Sequence, residues 1–163
     1  MKLKRIGIIG CGAMGSQIAE YISKNLSDKA KVVAISDIDS QKAKELSGRI
    51  KPKPLITTID ELINKSDLVI EAASPEVSGD IAEKADSLKK DALIMSTGGL
   101  LKKQRLIKKI NAGYSYIHIP SGAICGLDGL KSAMTGVIKS VTITTRKPLK
   151  GLAGSPYLKE KNI

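Results

Sequence analysis

The chain has no tryptophan and no phenylalanine, and only four tyrosines, two cysteines and one histidine among 163 residues. Each scarcity excludes something. Single-stranded nucleic acids are held on aromatic stacking platforms, and four tyrosines build none, so the net charge of +11 lacks the partners of a nucleic-acid surface. The lysines themselves are scattered over helical patterns ("KAKEL", "EKADSLKK", "LKKQRLIKK"), with acids interspersed in the first two. They read as solvated surface, with a share left for steering an anionic ligand. Cys11 and Cys125 are far apart, no C-x-x-C occurs and His118 stands alone, so neither a disulfide framework nor a metal site is expected. No apolar run reaches the roughly 18 residues of a membrane span, and "MKLKR" leads into a strand containing Gly7 rather than into a secretory core. The expectation is a cytoplasmic protein with neither membrane nor nucleic-acid partner, of a length suited to one full domain.

Glycine, by contrast, is concentrated at the start. In "RIGIIGCGAMGSQIAEYI", residues 5–22, Gly10, Gly12 and Gly15 have the spacing G-x-G-x-x-G after an apolar burst and before Ile18, Ala19 and Ile22 at helical spacing. The string reads as strand, tight turn, helix. Gly10 can take the turn's backbone angles, Gly12 has no side chain to keep a pyrophosphate off the main chain, and Gly15 lets helix and strand pack closely. The pyrophosphate then sits on the helix N-terminus, where free N–H groups and the positive end of the dipole favour an anion. Gly10, Gly12, Ala13, Met14 and Gly15 are therefore the candidate cradle. A second strand, "KVVAISDID", ends in Asp37, 22 residues past Gly15, where a carboxylate can accept hydrogen bonds from an adenosine ribose. That acid favours NAD, while Ser36, Gln41, Lys42 and Lys44 nearby leave NADP possible. Cys11, inside the turn, is a small packing residue.

Strand and helix patterns then alternate. Strands are expected near 4–9, 31–36, 54–57, 67–72, 92–96, 115–119 and 138–145, and helices near 13–25, 40–47, 59–64, 76–89 and 101–111. Asp39 or Ser40 can cap the second helix, and Thr58 with Glu61 forms a capping box for the third. The alternation predicts an α/β, Rossmann-type doubly wound parallel sheet with helices on both faces. Residues 1–136 form this dinucleotide-binding domain. The tail "RKPLKGLAGSPYLKEKNI" reads as a linker or a frayed tail, and residues 137–163 are read as the first strand and linker of a second domain. In such sheets the ligand lies where the strand order reverses, outside the carboxyl ends of the strands. The fourth strand should lie beside the first, which sets Ala72, Ala73, Ser74 and Pro75 across from the glycine turn. The fifth ends in Ser96, Thr97, Gly98 and Gly99, and the sixth in Ser121, Gly122 and Ala123. Three successive exits made of small or hydroxyl residues suit a shared ligand crevice.

The motifs "GIIGCGAMGSQIA", "VIEAASPE", "IMSTGGL", "IPSGAICGLDGLKSA" and "VTITTRKP" occur in this order. In that order they resemble the L-aspartate dehydrogenases over nearly the whole chain, from Lys4 to about Tyr157. "IPSGAICGLD" followed by "TTRKP" is the specific part; the glycine turn is shared with imine reductases such as pyrroline-5-carboxylate reductase. The resemblance implies NAD(P)-dependent oxidation of L-aspartate to iminoaspartate, the entry to NAD biosynthesis through quinolinate, and a homodimer for the full-length form. It also implies a cofactor contact from Ala123. Proteins of that family continue into a second α+β domain bearing an asparagine for the cofactor and a histidine assigned the catalytic role. The resemblance therefore implies a chain incomplete for turnover, with a non-catalytic NAD(H)-binding module, or another imine or amino-acid oxidoreductase such as a pyrroline-5-carboxylate reductase-like enzyme, as the other readings. No catalytic residue is assigned. His118, in the alternating strand "SYIHIP", is either a satisfied strand histidine or a group near the cofactor. Asp128 in "GLDGL" is a candidate helix N-cap, and Arg146 and Lys147 are either cations for an aspartate carboxylate or part of a solvated tail.

Overall fold

A computed structural model of the chain describes residues 2–122, 126–144, 146 and 160. Six parallel strands, β1 (Lys4–Ile9), β2 (Ala30–Ser36), β3 (Leu55–Ile56), β4 (Leu68–Glu71), β5 (Asp91–Ile94) and β6 (Ile117–His118), form one sheet in the order β3-β2-β1-β4-β5-β6. The order reverses between β1 and β4, as the glycine turn predicts.

Apolar side chains alternate between the two faces and set the layers. Ile6, Ile8, Val32, Ile35 and Ile70 pack with Ala19 and Ile22 of α1 (Ala13–Asn25) and Ala43 and Leu46 of α2 (Ser40–Arg49). Ile9, Ala34, Val69, Ala92 and Ile94 pack on the other side. There they meet Leu62 and Ile63 of α3 (Ile59–Lys65), Ile81, Ala82 and Ala85 of α4 (Pro75–Ser87) and Leu106 of α5 (Gln104–Asn111). Ile8, Ile35, Leu62, Ile63 and Ile94 are wholly buried, each worth about 1.5–3 kcal/mol of transfer free energy. At the amino ends of the strands Arg5 is bidentate on Asp67, with Nη2 to Oδ1 at 2.6 Å, and the Arg5 amide donates to Asp67 Oδ2 at 2.9 Å. This pairing holds the Asp67 carboxyl well below the usual aspartate range and ties β1 to the segment leading into β4.

The helix starts follow the expected caps with one change. Asp39 caps α2, accepting from the amides of Gln41 and Lys42. Thr58 caps α3 through the Glu61 amide, but the Glu61 carboxylate accepts from the hydroxyl of Thr57 instead of returning to the cap, so the capping box is half formed.

Two expected elements are corrected. The single helix over 101–111 is a 3-10 turn at Thr97–Lys102 followed by α5. The turn is pressed against α4: a Cβ at Gly99 would strike the Pro75 carbonyl and the Ser78 hydroxyl, and Ser78 Oγ donates to the Ser96 carbonyl at 2.7 Å. The strand over 138–145 does not form across 138–144, and Thr145 lies outside the described residues. Alternating residues make a strand only where a sheet edge accepts them, and these pair with no strand among the described residues. The chain divides into two compact units, Met1–Gly122 and Ala123–Ile163. The second holds α6 (Leu127–Ala133), which buries none of its residues and follows Gly126 at φ +81°. Asp128 is therefore in the first turn of α6 and not its cap. No helix among the described residues is long and apolar enough to cross a membrane.

Candidate cofactor cleft

The cleft grows out of the turn after β1. Gly10 has φ +96°, a left-handed conformation that a side chain resists, and an added Cβ would stand 2.5 Å from the Ala72 carbonyl oxygen. A Cβ on Gly15 would run into the carbonyl of Gly10. These two glycines let the α1 N-terminus and the β4 exit close on the turn. Gly12 is different, because apart from its own chain neighbours no atom of the described residues lies within 4 Å of where its Cβ would be. It is the N-cap of α1, and no side chain caps that end. The first-turn N–H groups of a 13-residue helix thus open onto empty space beside a bare backbone, the arrangement that receives a diphosphate. The residues present fit a dinucleotide.

Asp37 follows β2 on the same edge. One carboxylate oxygen accepts from the Cys11 amide at 2.6 Å and the other from the Asp39 amide at 2.7 Å. These bonds fix the carboxylate at the glycine turn, and each oxygen keeps a further acceptor position for a ribose hydroxyl. Cys11 is buried beneath it, and its thiol is pushed up to about 11, first by burial and then by the Asp37 charge. That thiol is inert packing, as its place in the turn suggests.

Gly10, Gly12, Asp37, Ala72, Ala73 and Ser74 come together in one cleft of about 560 Å³, joined by Ile38, Lys42, Ile59 and Val77. Ile38 is fully exposed at its mouth. The sequence gives no strong warning of Ile38, Ile59 and Val77, since isolated apolar residues at element boundaries resemble ordinary core. A larger depression of about 650 Å³ lies between α1 and strands β1 and β4, with Met14 and Tyr21 among its walls. It offers no helix N-terminus and no acid, whereas the smaller cleft is lined by Gly12 at the start of α1 and by Asp37.

The remaining candidates are placed as follows. Ala13 lines a shallow polar groove on the outer side of the turn with Ser16, Lys42 and Arg49, and Met14 faces the apolar depression. Pro75 opens α4, Ser96 precedes the 3-10 turn that Thr97 and Gly98 begin, and Ser121 and Gly122 follow β6 in exposed positions. Ala123 and Lys147 lie outside the described residues. His118 is exposed, with Nε2 3.7 Å from Asp91 Oδ1. Asp91 begins β5, so the imidazole points to the amino-terminal edge of the sheet, opposite the cleft. Sequence reasoning missed Glu71, the last residue of β4. Wholly buried, it accepts from the Ala73 amide at 2.8 Å and the Ser96 amide at 2.9 Å. Among the described residues no group of three or more histidine, cysteine or acidic side chains gathers as a metal site.

A six-stranded parallel sheet whose order reverses beside a glycine turn, with an uncapped helix N-terminus and an acid after β2, defines a Rossmann-type dinucleotide-binding domain. Residues 10–120 match the family described as the NAD-binding domain of homoserine dehydrogenase, and the chain belongs to that family. NAD is the cofactor of this domain type. Among curated proteins the chain is similar to an L-aspartate dehydrogenase of Methanocella arvoryzae, at 41% identity over 98% of this chain and 60% of that protein. It is likewise similar to an L-aspartate dehydrogenase of Methanocaldococcus jannaschii, at 40% identity over 91% of this chain and 57% of that protein. It thus spans about three fifths of the length of these relatives. Among solved structures, a myo-inositol dehydrogenase of Lactobacillus casei in complex with NAD(H) and myo-inositol shares the fold. Its TM-score is 0.65 at 20% identity, over 82% of this chain and 42% of that one.

Proposed function

We propose that the chain is the cofactor-binding portion of an NAD-dependent L-aspartate dehydrogenase acting in the cytoplasm in NAD biosynthesis, and that the full-length form is a homodimer. The observation that carries the cofactor half is the joining of the bare Gly12 backbone, the open α1 N-terminus and the Asp37 carboxylate in one cleft. The substrate half rests on relatives at about two fifths identity that bear that name.

In this reading the α1 N-terminus holds the diphosphate, Asp37 accepts the adenosine ribose hydroxyls, and Ile38, Ile59 and Val77 give the adenine apolar walls. The nicotinamide end runs the other way from the order reversal, over the exits of β4 and β5, where Ala73, Ser74, Pro75, Ser96, Thr97 and Gly98 leave room for a flat ring. Ser121 and Gly122, after β6, belong to the same edge of the sheet. Bound NAD supplies the hydride acceptor for the aspartate Cα. Among the described residues Asp37 and Lys42 are the titratable side chains that line the cleft, and both belong to its adenosine end. That favours a division of labour in which the proton acceptor for the aspartate amine, and much of the substrate pocket, come from the length that the relatives have beyond this chain. It also keeps open a second reading, a module that binds NAD(H) without turnover.

The purified 163-residue chain is expected to enhance NADH fluorescence yet to form no NADH from NAD and L-aspartate at mildly alkaline pH. Mixing it with the remaining segment of the Methanocella relative is expected to restore aspartate-dependent NADH formation. Binding without turnover in that mixture, and in a fusion of the two, would favour the non-catalytic module. Absence of NADH binding would overturn the cofactor assignment itself.

A further inference from the structure

Glu71 is a carboxylate at 0% exposure, and among the described residues no basic side chain pairs with it. A buried charge is retained at a cost unless both oxygens are satisfied. Here they are satisfied by two main-chain amides that belong to different loops. Oε1 takes the Ala73 amide, just ahead of α4, and Oε2 takes the Ser96 amide, just ahead of the 3-10 turn at Thr97–Lys102. The two loops are the exits of neighbouring strands β4 and β5. Both amides sit at the N-terminal ends of helical segments, where the local dipoles favour a negative group. Ser78 adds a lighter tie between the same two segments through its bond to the Ser96 carbonyl.

A glutamine is nearly the same size and would remove the charge, yet it offers one acceptor where the site needs two. Its NH₂ would face either the Ala73 or the Ser96 N–H, donor against donor, and the exits would part. The two acceptors therefore serve to hold the exits at a fixed separation. We propose that Glu71 is a positioning residue for the nicotinamide half of the cofactor. It holds the β4 and β5 exits as one rigid wall, so that the ring-bearing half of the dinucleotide meets a preformed surface. The proposal rests on the cofactor reading given above and concerns only the half of the cleft remote from Asp37.

The two halves can be read separately with ADP, which carries only the adenosine diphosphate half, and NADH, which carries both. In the full 163-residue chain, Glu71→Gln is expected to leave ADP affinity within about twofold of wild type while NADH affinity falls about tenfold, the size of one lost buried hydrogen-bond arrangement. Glu71→Asp, which keeps the charge but is one methylene too short to span both amides, should lose NADH affinity in the same selective way. Unchanged NADH affinity in the glutamine variant overturns the proposal. Parallel loss of ADP and NADH binding also overturns it, because that marks a general structural role. If neither variant folds, amide hydrogen exchange in the wild-type chain decides. Slow exchange at Ala73 and Ser96 that slows further with NADH but not with ADP supports the wall, and exchange indifferent to NADH refutes it. Asp37→Ala separates this from the underlying reading: ADP affinity unchanged in that variant would mean that the cleft is not the adenosine site, whatever Glu71 does.

Discussion

Gly12→Ala is the perturbation that separates folding from binding most cleanly. Apart from its chain neighbours, a Cβ at this position meets no atom of the described residues within 4 Å, so the folded state accommodates it. Alanine is a poorer N-cap than glycine by about 0.5–1 kcal/mol, while the less flexible unfolded chain returns about 0.4–1 kcal/mol. The net change in stability should therefore stay within about 0.5 kcal/mol. Binding should behave in the opposite way. The methyl group occupies the space through which a diphosphate approaches the first-turn N–H groups of α1. Losing two such charge-assisted bonds, at about 1.5–3 kcal/mol each, costs about 3–6 kcal/mol, or a fall in NADH affinity of between about 10² and 10⁴. Gly15→Ala makes the contrast, because its Cβ collides with the Gly10 carbonyl. That variant should lose about 3 kcal/mol and on the order of 10 °C in Tm. Circular-dichroism melts and NADH fluorescence titrations read the two effects. Gly12→Ala with NADH affinity within threefold of wild type, or Gly15→Ala with an unchanged melt, would refute the reasoning.

Asp37 should make NADP bind at least about tenfold more weakly than NAD, since a carboxylate repels a 2′-phosphate, and Asp37→Asn should narrow that ratio. Equal affinities in the wild type would mean that the Cys11 and Asp39 amides use up the acid. In a Cys125→Ser chain, Cys11 should react with iodoacetamide at neutral pH more than about a hundredfold slower than free cysteine, because a thiol pushed up to about 11 holds little thiolate. Rapid alkylation would show that the turn is open beneath Asp37. For Asp67, whose carboxyl Arg5 holds well below the usual range, the folded state binds the proton less readily than the unfolded one. The pair's stabilisation should then be fully present above the ordinary aspartate value and be lost as pH falls below it. The Tm gap between wild type and Asp67→Asn is expected to be constant above pH ~5 and to narrow progressively as pH falls below ~4, closing only toward the depressed folded-state value. A gap at pH ~2.5 as large as that at pH ~6 would contradict the assignment.

The doubly wound sheet, with β4 beside β1, was legible in the sequence because it rests on local signals. The glycine turn, the acid after β2 and the alternation of strands with helices define a doubly wound sheet, and that fold has few permitted topologies. Element limits were legible for the same reason wherever a cap stood at the boundary, as with Asp39 and Thr58. They failed where tertiary contact replaced local pattern. The lysine-rich run after β5 has a helical period, but its first part is squeezed into a 3-10 turn by Pro75 and Ser78. Residues 138–144 alternate like a strand, yet alternation needs a receiving edge.

The site divides along the same line. Gly10, Gly12 and Asp37 were legible because each performs a task that few residue types can perform. Glu71 was not, because in "DLVIEAAS" it is one acid at the end of an apolar strand and could as easily be an exposed terminal residue. What makes it distinctive is that Ala73 and Ser96, 23 residues apart, present their amides to it from two different exits, a coincidence that exists only after β4 and β5 have paired. A turn residue shapes the chain on which it sits, whereas Glu71 shapes the distance between two stretches of chain. The end of the cleft at Gly10, Gly12 and Asp37 is therefore written locally, and the end at Ala73 and Ser96 in the pairing of strands. This asymmetry explains why the resemblance to a dinucleotide-binding turn was visible at once while the wall beside it was not.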